Sequence, residues 1–386
     1  MKCLFILSKP SAGFSGQAAA SEIIIDGFEE LNFSCFQLLT PSLDRTSTSL
    51  KWINYLNYLF RLACCFCRAL VQTPRILDGI HMNMGQTRVA MIRDGVCLLL
   101  ASLRVKGNQC SKLAALHGSV FTSWRHDSLE ARLFRWIIKR CDYVSCLGGK
   151  HLEILVDLGI PREKIVIVPN VCEYRGVDEE FLLSKHNIAG GPVEVLFLSS
   201  LIDSKGFPEY LEALCCLAEE GKYKINASLC GPITITPFSD RFKTVAEAEE
   251  WITEKVSILN DSANVRIDRI EGARGAQKRA LFEKSHIFVL PTRYKVEAQP
   301  LAVIEAMAFG CAVVTSDVGE LPSTVDAESA IVLSNPNTAN VTDALKKLCA
   351  DESFRTEIAL GALKRFNRDF NLEKYIERWK ELLVSN

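Results

Sequence analysis

One stretch of the chain, His286–Pro322, carries two short apolar runs separated by a polar loop and a helical segment: HIFVLPTRYKVEAQPLAVIEAMAFGCAVVTSDVGELP. The first apolar run ends at Pro291, and a helix is predicted over Leu301–Phe309, with Gly310 ending it. The order strand, loop, helix, strand is typical of a parallel sheet covered by helices. The loop before the helix then lies at the carboxyl ends of the strands, where such sheets bind ligands.

Two carboxylates mark this unit, Glu297 in the loop and Glu305 inside the predicted helix. The backbone amides of Ala298, Gln299 and Leu301 lie near a helix N-terminus, where unpaired N–H groups and the helix dipole favour an anion. Glu305 stands among apolar residues, so its burial is costly unless it has a partner or a ligand. Two glutamates at this spacing also arise by chance. If both are functional, the stretch can hold the phosphates and hydroxyls of a sugar nucleotide.

The same stretch resembles the donor-site signature of the retaining GT-B glycosyltransferases of the family-four type, the glycosyl transferases group 1. The match runs through Leu290-Pro-Thr, Glu297-Ala-Gln-Pro-Leu, Ile304-Glu-Ala-Met-Ala-Phe-Gly and Gly319. Those enzymes carry a glutamate, seven residues and a second glutamate. The resemblance implies an α/β fold of the GT-B class, with two Rossmann-like doubly wound domains that face each other across a cleft.

Domain boundaries follow from the pattern of strands and from the length of 386 residues, which suits two domains. Ile165–Asn170 is predicted as the last strand of the first half, and Gly190-Gly-Pro marks a linker. We therefore predict an acceptor-side domain over residues 1–185 and a nucleotide-sugar-binding domain over 186–366. The resemblance also implies that a C-terminal helix, residues 367–386, crosses back to the first domain.

Composition excludes several classes of protein. The net charge of −1 leaves no global basic footprint for nucleic acid, and no uninterrupted apolar run is long enough to span a bilayer. The 15 cysteines are scattered, mostly in apolar contexts, which favours reduced thiols in a cytoplasm over a disulfide framework. Cys64 and Cys67 form a Cys-x-x-Cys pair without a second pair at zinc spacing, so buried or membrane-facing thiols are favoured over a metal site.

Leu50–Val71 is an apolar, aromatic segment whose only charges are Lys51, Arg61 and Arg68. Two interpretations are open. The segment is either an amphipathic helix packed on the first sheet or a surface in peripheral contact with anionic lipid or a lipid-linked acceptor, to which Arg88 and Arg93 add charge. We expect a cytoplasmic protein, with this contact on the inner face of the cytoplasmic membrane and a glycan or lipid-linked molecule as acceptor.

In the first half, the resemblance assigns Gly13 and Gly16 to a loop over the donor phosphates and near the acceptor. His117 follows the predicted strand Leu113–Leu116, at an edge where ligands bind. A lone histidine at such a place is more often structural. The resemblance, however, implies that His117 contacts the donor sugar.

In the second half, the resemblance assigns Lys205 and Gly206 to the donor phosphates and Gly231 to the loop that meets the nucleotide base. Two positions depart from the pattern. Ser200 stands where many relatives carry an arginine, and Glu320 stands where they often carry a second glycine. Arg293, in the loop before Glu297, is a candidate to replace the missing cation.

The resemblance implies retaining transfer of a hexose-type sugar from a nucleotide diphosphate sugar to a hydroxyl acceptor, in surface polysaccharide or lipid-linked glycan synthesis. Glu297, His117 and Lys205 are the predicted catalytic residues. The chain contains no Asp-x-Asp, so we expect neither a metal nor another cofactor. Two alternatives stay open: a catalytically degenerate member that binds a sugar nucleotide or scaffolds a complex, which Ser200 favours, and a GT-B sugar-nucleotide epimerase.

Overall fold

The computed structural model describes residues 1–8, 16–41, 51–106 and 110–384. Internal contacts divide the chain into two units. Unit 1 consists of Met1–Glu173 together with the segment from Leu372 onward, and unit 2 is Tyr174–Asn371. Each unit is built on its own parallel sheet.

Unit 1 contains a six-stranded sheet. Its strands are β1 Lys2–Ser8, β2 Ser34–Thr40, β3 Gly79–Asn83, β4 Ser111–Ala115, β5 Tyr143–Cys146 and β6 Ile165–Ile167. All are parallel and lie in the order β2-β1-β3-β4-β5-β6. Every residue of β3 is buried, as expected for a central strand of a parallel sheet covered on both faces.

Helices cover the sheet of unit 1. They are α1 Gly16–Glu30, α2 Lys51–Val71, α3 Arg88–Arg104, α4 Leu129–Ile138, α5 Gly149–Asp157 and, from the end of the chain, α14 Leu372–Leu383. Thr87 and Ser128 cap α3 and α4 through side-chain oxygens that accept from backbone N–H groups of the first turn. A core of aliphatic, aromatic and cysteine side chains fills the space between helices and strands.

Helix α14 completes unit 1. The fully buried Trp379 lies edge-on to His81 of β3, with ring centroids 4.9 Å apart. The Ser111 hydroxyl donates a hydrogen bond of 2.6 Å to the Leu382 carbonyl. Gly79 lies against the backbone of Leu383, so that a Cβ at Gly79 would collide with the Leu383 carbonyl oxygen. The last helix is therefore fitted into the sheet of unit 1 by backbone as well as side-chain contacts.

Unit 2 contains a second six-stranded sheet. Its strands are β7 Val193–Leu198, β8 Ile225–Cys230, β9 Val265–Ile270, β10 Ile287–Leu290, β11 Ala312–Ser316 and β12 Ala330–Leu333. Its helices are α6 Glu179–His186, α7 Phe207–Glu220, α8 Val245–Asp261, α9 Gly275–Lys284, α10 Leu301–Ala308, α11 Leu321–Thr324, α12 Thr338–Ala350 and α13 Glu352–Asp369. The strands are all parallel, in the order β12-β11-β10-β7-β8-β9. The two doubly wound parallel sheets confirm the predicted α/β class.

Helix α6 belongs to unit 2, whereas the predicted first domain extended to residue 185. The Lys185 ammonium donates to the carbonyl of Phe309 at 2.8 Å, and His186 Nε2 donates to the carbonyl of Gly310 at 2.9 Å. Leu182 packs so closely on Gly310 that a Cβ there would overlap it. These contacts with the turn after α10 hold α6 in unit 2, because that turn has carbonyl groups for the two side chains to satisfy.

The contacts of Trp379 predict a large loss of stability on its truncation. Trp379→Ala should lower the free energy of unfolding of unit 1 by about 3–5 kcal/mol, because it leaves a cavity beside His81. Chemical denaturation followed by circular dichroism, with hydrogen exchange in β3 and β4, measures this loss. Trp136→Ala is the matched control, since Trp136 is exposed and stacks only on Arg140 among the described residues. It should cost about 1 kcal/mol or less. Equal losses in both variants would contradict the role of α14.

Acid stability tests the buried His81. Burial lowers the pKa of its imidazole to about 3, because the charged form loses its hydration. Between that value and the unfolded value of about 6.5, the unfolded chain binds the extra proton, so the folded state loses stability as the pH falls. His81→Leu should therefore reduce the fall in melting temperature between pH 6.5 and pH 4. His126→Leu, at an exposed position, serves as control, and an unchanged acid profile in His81→Leu would refute the prediction.

Candidate active site

The topology of unit 2 brings two loops together at the carboxyl edge of its sheet. From β7 the chain moves through β8 to β9 on one side, and β10 to β12 return on the other. The loops that follow β7 and β10 therefore leave neighbouring strands in opposite directions and open a crevice between them. The first of these loops carries Lys205, and the second carries Glu297.

Lys205 and Glu297 form an ion pair in this crevice. The Lys205 ammonium lies 3.2 Å from Oε2 and 3.4 Å from Oε1 of the carboxylate, and the two side chains are 15% and 8% exposed. The Thr292 hydroxyl donates to the same carboxylate at 3.3 Å. Tyr294 places its ring 5.4 Å from the ammonium. A cation and a carboxylate are thus held side by side and are largely shielded from water, which strengthens their electrostatic interactions.

Gly206 sets how closely the two loops approach. It has a φ of 91°, and a Cβ at this position would collide with the carbonyl of Pro291 at the end of β10. Only glycine satisfies both the left-handed backbone and the close contact. The Arg293 amide donates to the Ser204 carbonyl at 2.6 Å and ties the same loops a second time. Gly206 therefore acts at this site through its backbone, by allowing the two loops to approach each other.

Gly231 and Asp203 fix the loop after β8. Gly231 has a φ of 142°, and a Cβ there would overlap the Ser199 carbonyl oxygen. The Asp203 carboxylate is buried and accepts from the amides of Arg241 at 2.5 Å and Phe242 at 3.1 Å. Sequence reasoning missed Asp203, although it lies in the same strand-to-helix loop as Lys205. A carboxylate at such a position is a natural partner for backbone N–H groups that no strand or helix satisfies.

Glu305 has a protein partner in the structure. Its Oε1 lies 2.5 Å from the ammonium of Lys278 on α9, and the two side chains are 5% and 19% exposed. The rest of α10 from Val303 to Ala308 is buried among apolar groups. The expectation that a buried carboxylate here needs a partner or a ligand is met by Lys278. Sequence reasoning missed this lysine, because α9 carries other charges along an unremarkable surface helix.

The residues between the two glutamates lie where α10 begins. Leu301 is the first residue of the helix, so its amide belongs to the first turn, whose N–H groups have no partner within the helix. The Gln299 side chain is buried and donates to the Thr324 hydroxyl at 2.9 Å. The Ala298 carbonyl accepts from the amide of Glu320 at 2.8 Å. This segment is therefore anchored on its far side by α11.

Glu320, which departs from the family pattern, is fully buried at the start of α11. Its carboxylate accepts from the Ser323 hydroxyl at 2.9 Å. The preceding Gly319 has a φ of 59°, and a Cβ there would collide with the Glu297 carbonyl oxygen. The position that needs glycine is thus Gly319, whereas Glu320 fills space behind the loop.

Arg293 is engaged away from the Lys205–Glu297 pair. Its Nη1 lies 2.6 Å from Oε1 of Glu209, in the first turn of α7. Burial raises the pKa of the Glu209 carboxyl, and the guanidinium opposes that rise. Ser200 is exposed, and its hydroxyl carries no charge to replace that of the missing arginine. To serve a ligand as the replacement cation, Arg293 would have to share its charge with Glu209.

Metal ligands are not grouped in the part of the chain that the structure describes. No set of three or more His, Cys, Asp and Glu side chains is arranged there to hold an ion. The cations nearest to the two predicted glutamates are the protein's own, Lys205 and Lys278.

In unit 1, His117 follows β4 and is buried. Its Nδ1 lies 3.1 Å from Oδ1 of Asn170, and its Nε2 has no hydrogen-bond partner among the described residues. Burial lowers the pKa of the ring to about 4, so the imidazole is neutral near pH 7. Because an amide oxygen can only accept, Nδ1 carries the proton and Nε2 is left as an acceptor. Gly16 begins α1, and Gly13 lies outside the described residues.

Gln86 and His151, which sequence reasoning missed, hold the turn that follows His117. Gln86 donates to the Gly118 carbonyl at 2.7 Å and accepts from the Phe121 amide at 3.0 Å. The ring of His151 is 2.8 Å from the Ser119 hydroxyl. The turn after His117 is therefore held by side chains from the loop before α3 and from α5.

Residues 178–365, which include both predicted glutamates and Lys205, match the sequence model of the family described as glycosyl transferases group 1. The curated proteins that are similar to the chain include the following two. The putative colanic acid biosynthesis glycosyltransferase WcaL of Salmonella typhimurium is 25% identical over 303 residues, 74% of this chain and 65% of that protein. The amylovoran biosynthesis glycosyltransferase AmsK of Erwinia amylovora is 25% identical over 237 residues, 59% and 53% of the two chains. The chain thus spans less than two thirds of the length of either relative.

The fold is similar to that of solved structures. Anabaena Alr3699/HepE, in complex with UDP-glucose, superposes with a TM-score of 0.68 at 16% identity and covers 100% of both chains. At this identity the likeness shows the fold, which is the predicted GT-B fold. The family match over residues 178–365, the two relatives and the fold agree, and together they support a group 1 glycosyltransferase.

Proposed function

We propose that the chain is a retaining glycosyltransferase that moves a hexose-type sugar from a nucleotide diphosphate sugar to a hydroxyl acceptor, in surface polysaccharide or lipid-linked glycan synthesis. The observation that carries this proposal is the Lys205–Glu297 pair at the switch point of unit 2, beside the first turn of α10. The names of the relatives, which refer to colanic acid and amylovoran, support a polysaccharide pathway. The UDP-glucose in the HepE complex makes a uridine nucleotide the first donor to test.

In this proposal, the two carboxylates divide the donor between them. Glu305 accepts hydrogen bonds from the ribose hydroxyls while Lys278 neutralises its charge from the other side. Glu297 accepts from hydroxyls of the transferred sugar. The amides of Ala298, Gln299 and Leu301 at the start of α10 and the ammonium of Lys205 bind the diphosphate. Each group is of the chemical type that its ligand atom needs, because hydroxyls donate to carboxylates and phosphate oxygens accept from N–H groups.

The chemical step breaks the bond between the anomeric carbon and the diphosphate oxygen, and it forms a bond from that carbon to the acceptor oxygen on the same face. The acceptor proton passes to an oxygen of the departing diphosphate. Lys205 stabilises the negative charge that develops on that group, in the place where a metal acts in other transferases. We invoke no resident metal or other cofactor.

Glu297 is the alternative nucleophile, through a covalent glycosyl intermediate. Its carboxylate is engaged by the Lys205 ammonium and by the Thr292 hydroxyl, which lowers the charge available for attack on carbon. This engagement favours the same-face reaction, with Glu297 holding the sugar.

For the acceptor side we propose that Nε2 of His117, which has no hydrogen-bond partner among the described residues, accepts a hydrogen bond from a hydroxyl of a bound sugar, with Gly13 and Gly16 in the adjoining loop. The neutral ring suits an acceptor role at physiological pH. For location, we propose the cytoplasm, with a peripheral contact through α2 at the inner face of the membrane.

A catalytically degenerate protein that binds a sugar nucleotide is the second candidate. The exposed Ser200 favours it, since one cation is missing, and Arg293 already pairs with Glu209. Turnover separates the candidates: a degenerate protein binds the donor without transferring or hydrolysing it.

Removal of the Lys205 ammonium should slow the reaction at the chemical step. Lys205→Ala is expected to lower kcat by about 10²- to 10³-fold, because charge on the leaving diphosphate loses its stabilising cation. Release of the nucleotide diphosphate in the presence of acceptor measures this rate. Lys295→Ala is the matched control, an exposed lysine in the loop of Glu297, and should change kcat by less than about threefold. An unchanged kcat in Lys205→Ala would remove Lys205 from the mechanism.

Donor binding tests Glu305. Incubation with UDP-, GDP- and ADP-sugars should raise the melting temperature with one nucleotide, because binding stabilises the folded state. Glu305→Gln should lower the affinity for that donor by about 10- to 100-fold, because the ribose hydroxyls lose hydrogen bonds to a charged acceptor. Glu283→Gln on α9, which pairs only with Arg279 among the described residues, is the control. A donor-induced rise in melting temperature as large in Glu305→Gln as in the wild type would exclude a role of Glu305 in binding the ribose.

The stereochemistry of transfer is measured separately, because the proton coupling at the anomeric position of the product reports retention.

A further inference from the structure

Helix α2 carries apolar residues on two opposite sides. Its inner side packs on the sheet of unit 1 through Tyr58, Cys65 and Ala69, which are buried. Its outer side, at helical spacing, is formed by exposed residues that are also apolar: Leu56, Phe60, Ala63, Cys67 and Val71. Phe60 is 69% exposed. A surface helix of a soluble protein has polar residues on this outer side.

Helix α3 repeats the pattern. Met91, Leu98 and Ala101 face the core. The outer side follows the spacing of three and four residues expected for one helix face and consists of apolar residues: Val89, Ile92, Val96, Leu99 and Leu103. All but Val96 are exposed, and Leu103 is 70% exposed.

The two outer sides belong to one surface. α2 and α3 are neighbours on the same face of the sheet, with the Cys65 and Cys97 sulfur atoms 3.8 Å apart between them. Phe66 of α2 and Leu100 of α3 are partly buried and pack against the core of unit 1. We call the exposed apolar sides of α2 and α3 the α2–α3 face. A contiguous apolar surface of this kind marks a contact with a protein or a membrane.

Charge selects between these partners. Between residues 45 and 126, Asp78 and Asp94 are the only acidic residues, while Lys and Arg recur throughout. Asp94 is buried in an ion pair with Arg93, whose Nη1 also donates to the Pro41 carbonyl. Arg93, which the sequence alone predicts to add charge to the lipid contact, is therefore already paired inside the protein and does not contact lipid. The cations that surround the α2–α3 face are Arg61, Arg68, Arg75, Arg104 and Lys106.

Three of these cations line a cavity at the ends of α2 and α3. The cavity has a volume of about 390 Å³, and its other lining residues are the exposed Leu70, Val71 and Leu103. The Arg104 Nε donates to the Thr73 carbonyl at 2.8 Å, which fixes the guanidinium beside the cavity. Cationic groups at the edge of an apolar surface match the phosphates and acyl chains at the boundary of a bilayer.

We propose that the α2–α3 face docks unit 1 on a bilayer that contains anionic phospholipid, with its apolar residues at the headgroup–acyl boundary and its cations on lipid phosphates. A second copy of the chain is a poorer occupant, since pairing two such faces would bring cations against cations. The proposed contact is peripheral, and no helix in the described ranges is long and apolar enough to cross a membrane. The proposal rests on the membrane contact given in the proposed function, and it adds the apolar side of α3 and the cations at the ends of both helices.

Vesicle flotation with the full chain tests the proposal. Binding to vesicles of phosphatidylcholine and phosphatidylglycerol should exceed binding to phosphatidylcholine alone by at least about tenfold, and should weaken as salt is added. The double variants Phe60→Glu/Leu103→Glu and Arg61→Glu/Arg68→Glu should each lose about tenfold or more. The matched control is Val245→Glu/Ile258→Glu, which places the same charges at exposed apolar positions of α8 and should bind as wild type does.

Three outcomes would overturn the proposal: wild-type protein that ignores anionic vesicles, equal loss in the control variant, or a dimer in solution that the α2–α3 substitutions dissociate. The last result would assign the face to a second copy. Donor-induced stabilisation of the same variants, measured without vesicles, keeps the two proposals apart. If the α2–α3 variants lose vesicle binding but keep the donor shift, the docking face is separate from the transfer site. If wild-type protein fails to bind anionic vesicles but keeps its donor shift, only the docking proposal is rejected, whereas a full donor shift in Glu305→Gln counts only against the proposed transfer site.

Discussion

The close approach of the loops after β7 and β10 is the constraint on which the site of unit 2 depends. Gly206 has no side chain to hold the Pro291 carbonyl away, and the Arg293 amide binds the Ser204 carbonyl across the same gap. Lys205 is thereby placed beside Glu297, although the two are far apart in sequence. Because the backbone already holds the two side chains close together, forming the ion pair costs less conformational entropy.

The site contains side chains of both charges, and each of them lies next to a side chain of the opposite charge. Lys205 neutralises Glu297, Lys278 neutralises Glu305, and Glu209 neutralises Arg293. Burying any one of them alone would be costly, whereas the pairs let a polar crevice persist within an apolar sheet edge. A ligand with phosphates and hydroxyls has to exchange into these pairs. Its affinity therefore reflects a difference between two sets of polar contacts.

Much of this was predictable from the sequence. The run from His286 to Pro322 predicts the strand–loop–helix–strand order. The fold inferred from it is confirmed, and residues 178–365 match the model of the family that it resembles. Lys278 and Asp203 were not predictable, because their roles depend on contacts between elements remote in sequence. The outer apolar side of α3 was missed for a related reason: periodicity shows that a helix has an apolar stripe without telling which side faces the core.

Helix α14 gives unit 1 a discontinuous chain: its sheet is built from the first part of the sequence, yet Trp379 and Leu382 fill it from the end. Unit 2 is continuous from Tyr174 to Asn371. During synthesis the chain emerges from its N-terminus, and domains fold as their segments become available. Unit 1 is thus translated first but cannot complete its fold until α14 has been synthesised. Its core stays open at β3 and β4 until the ribosome has released the segment that closes it, and the later unit is able to finish before the earlier one.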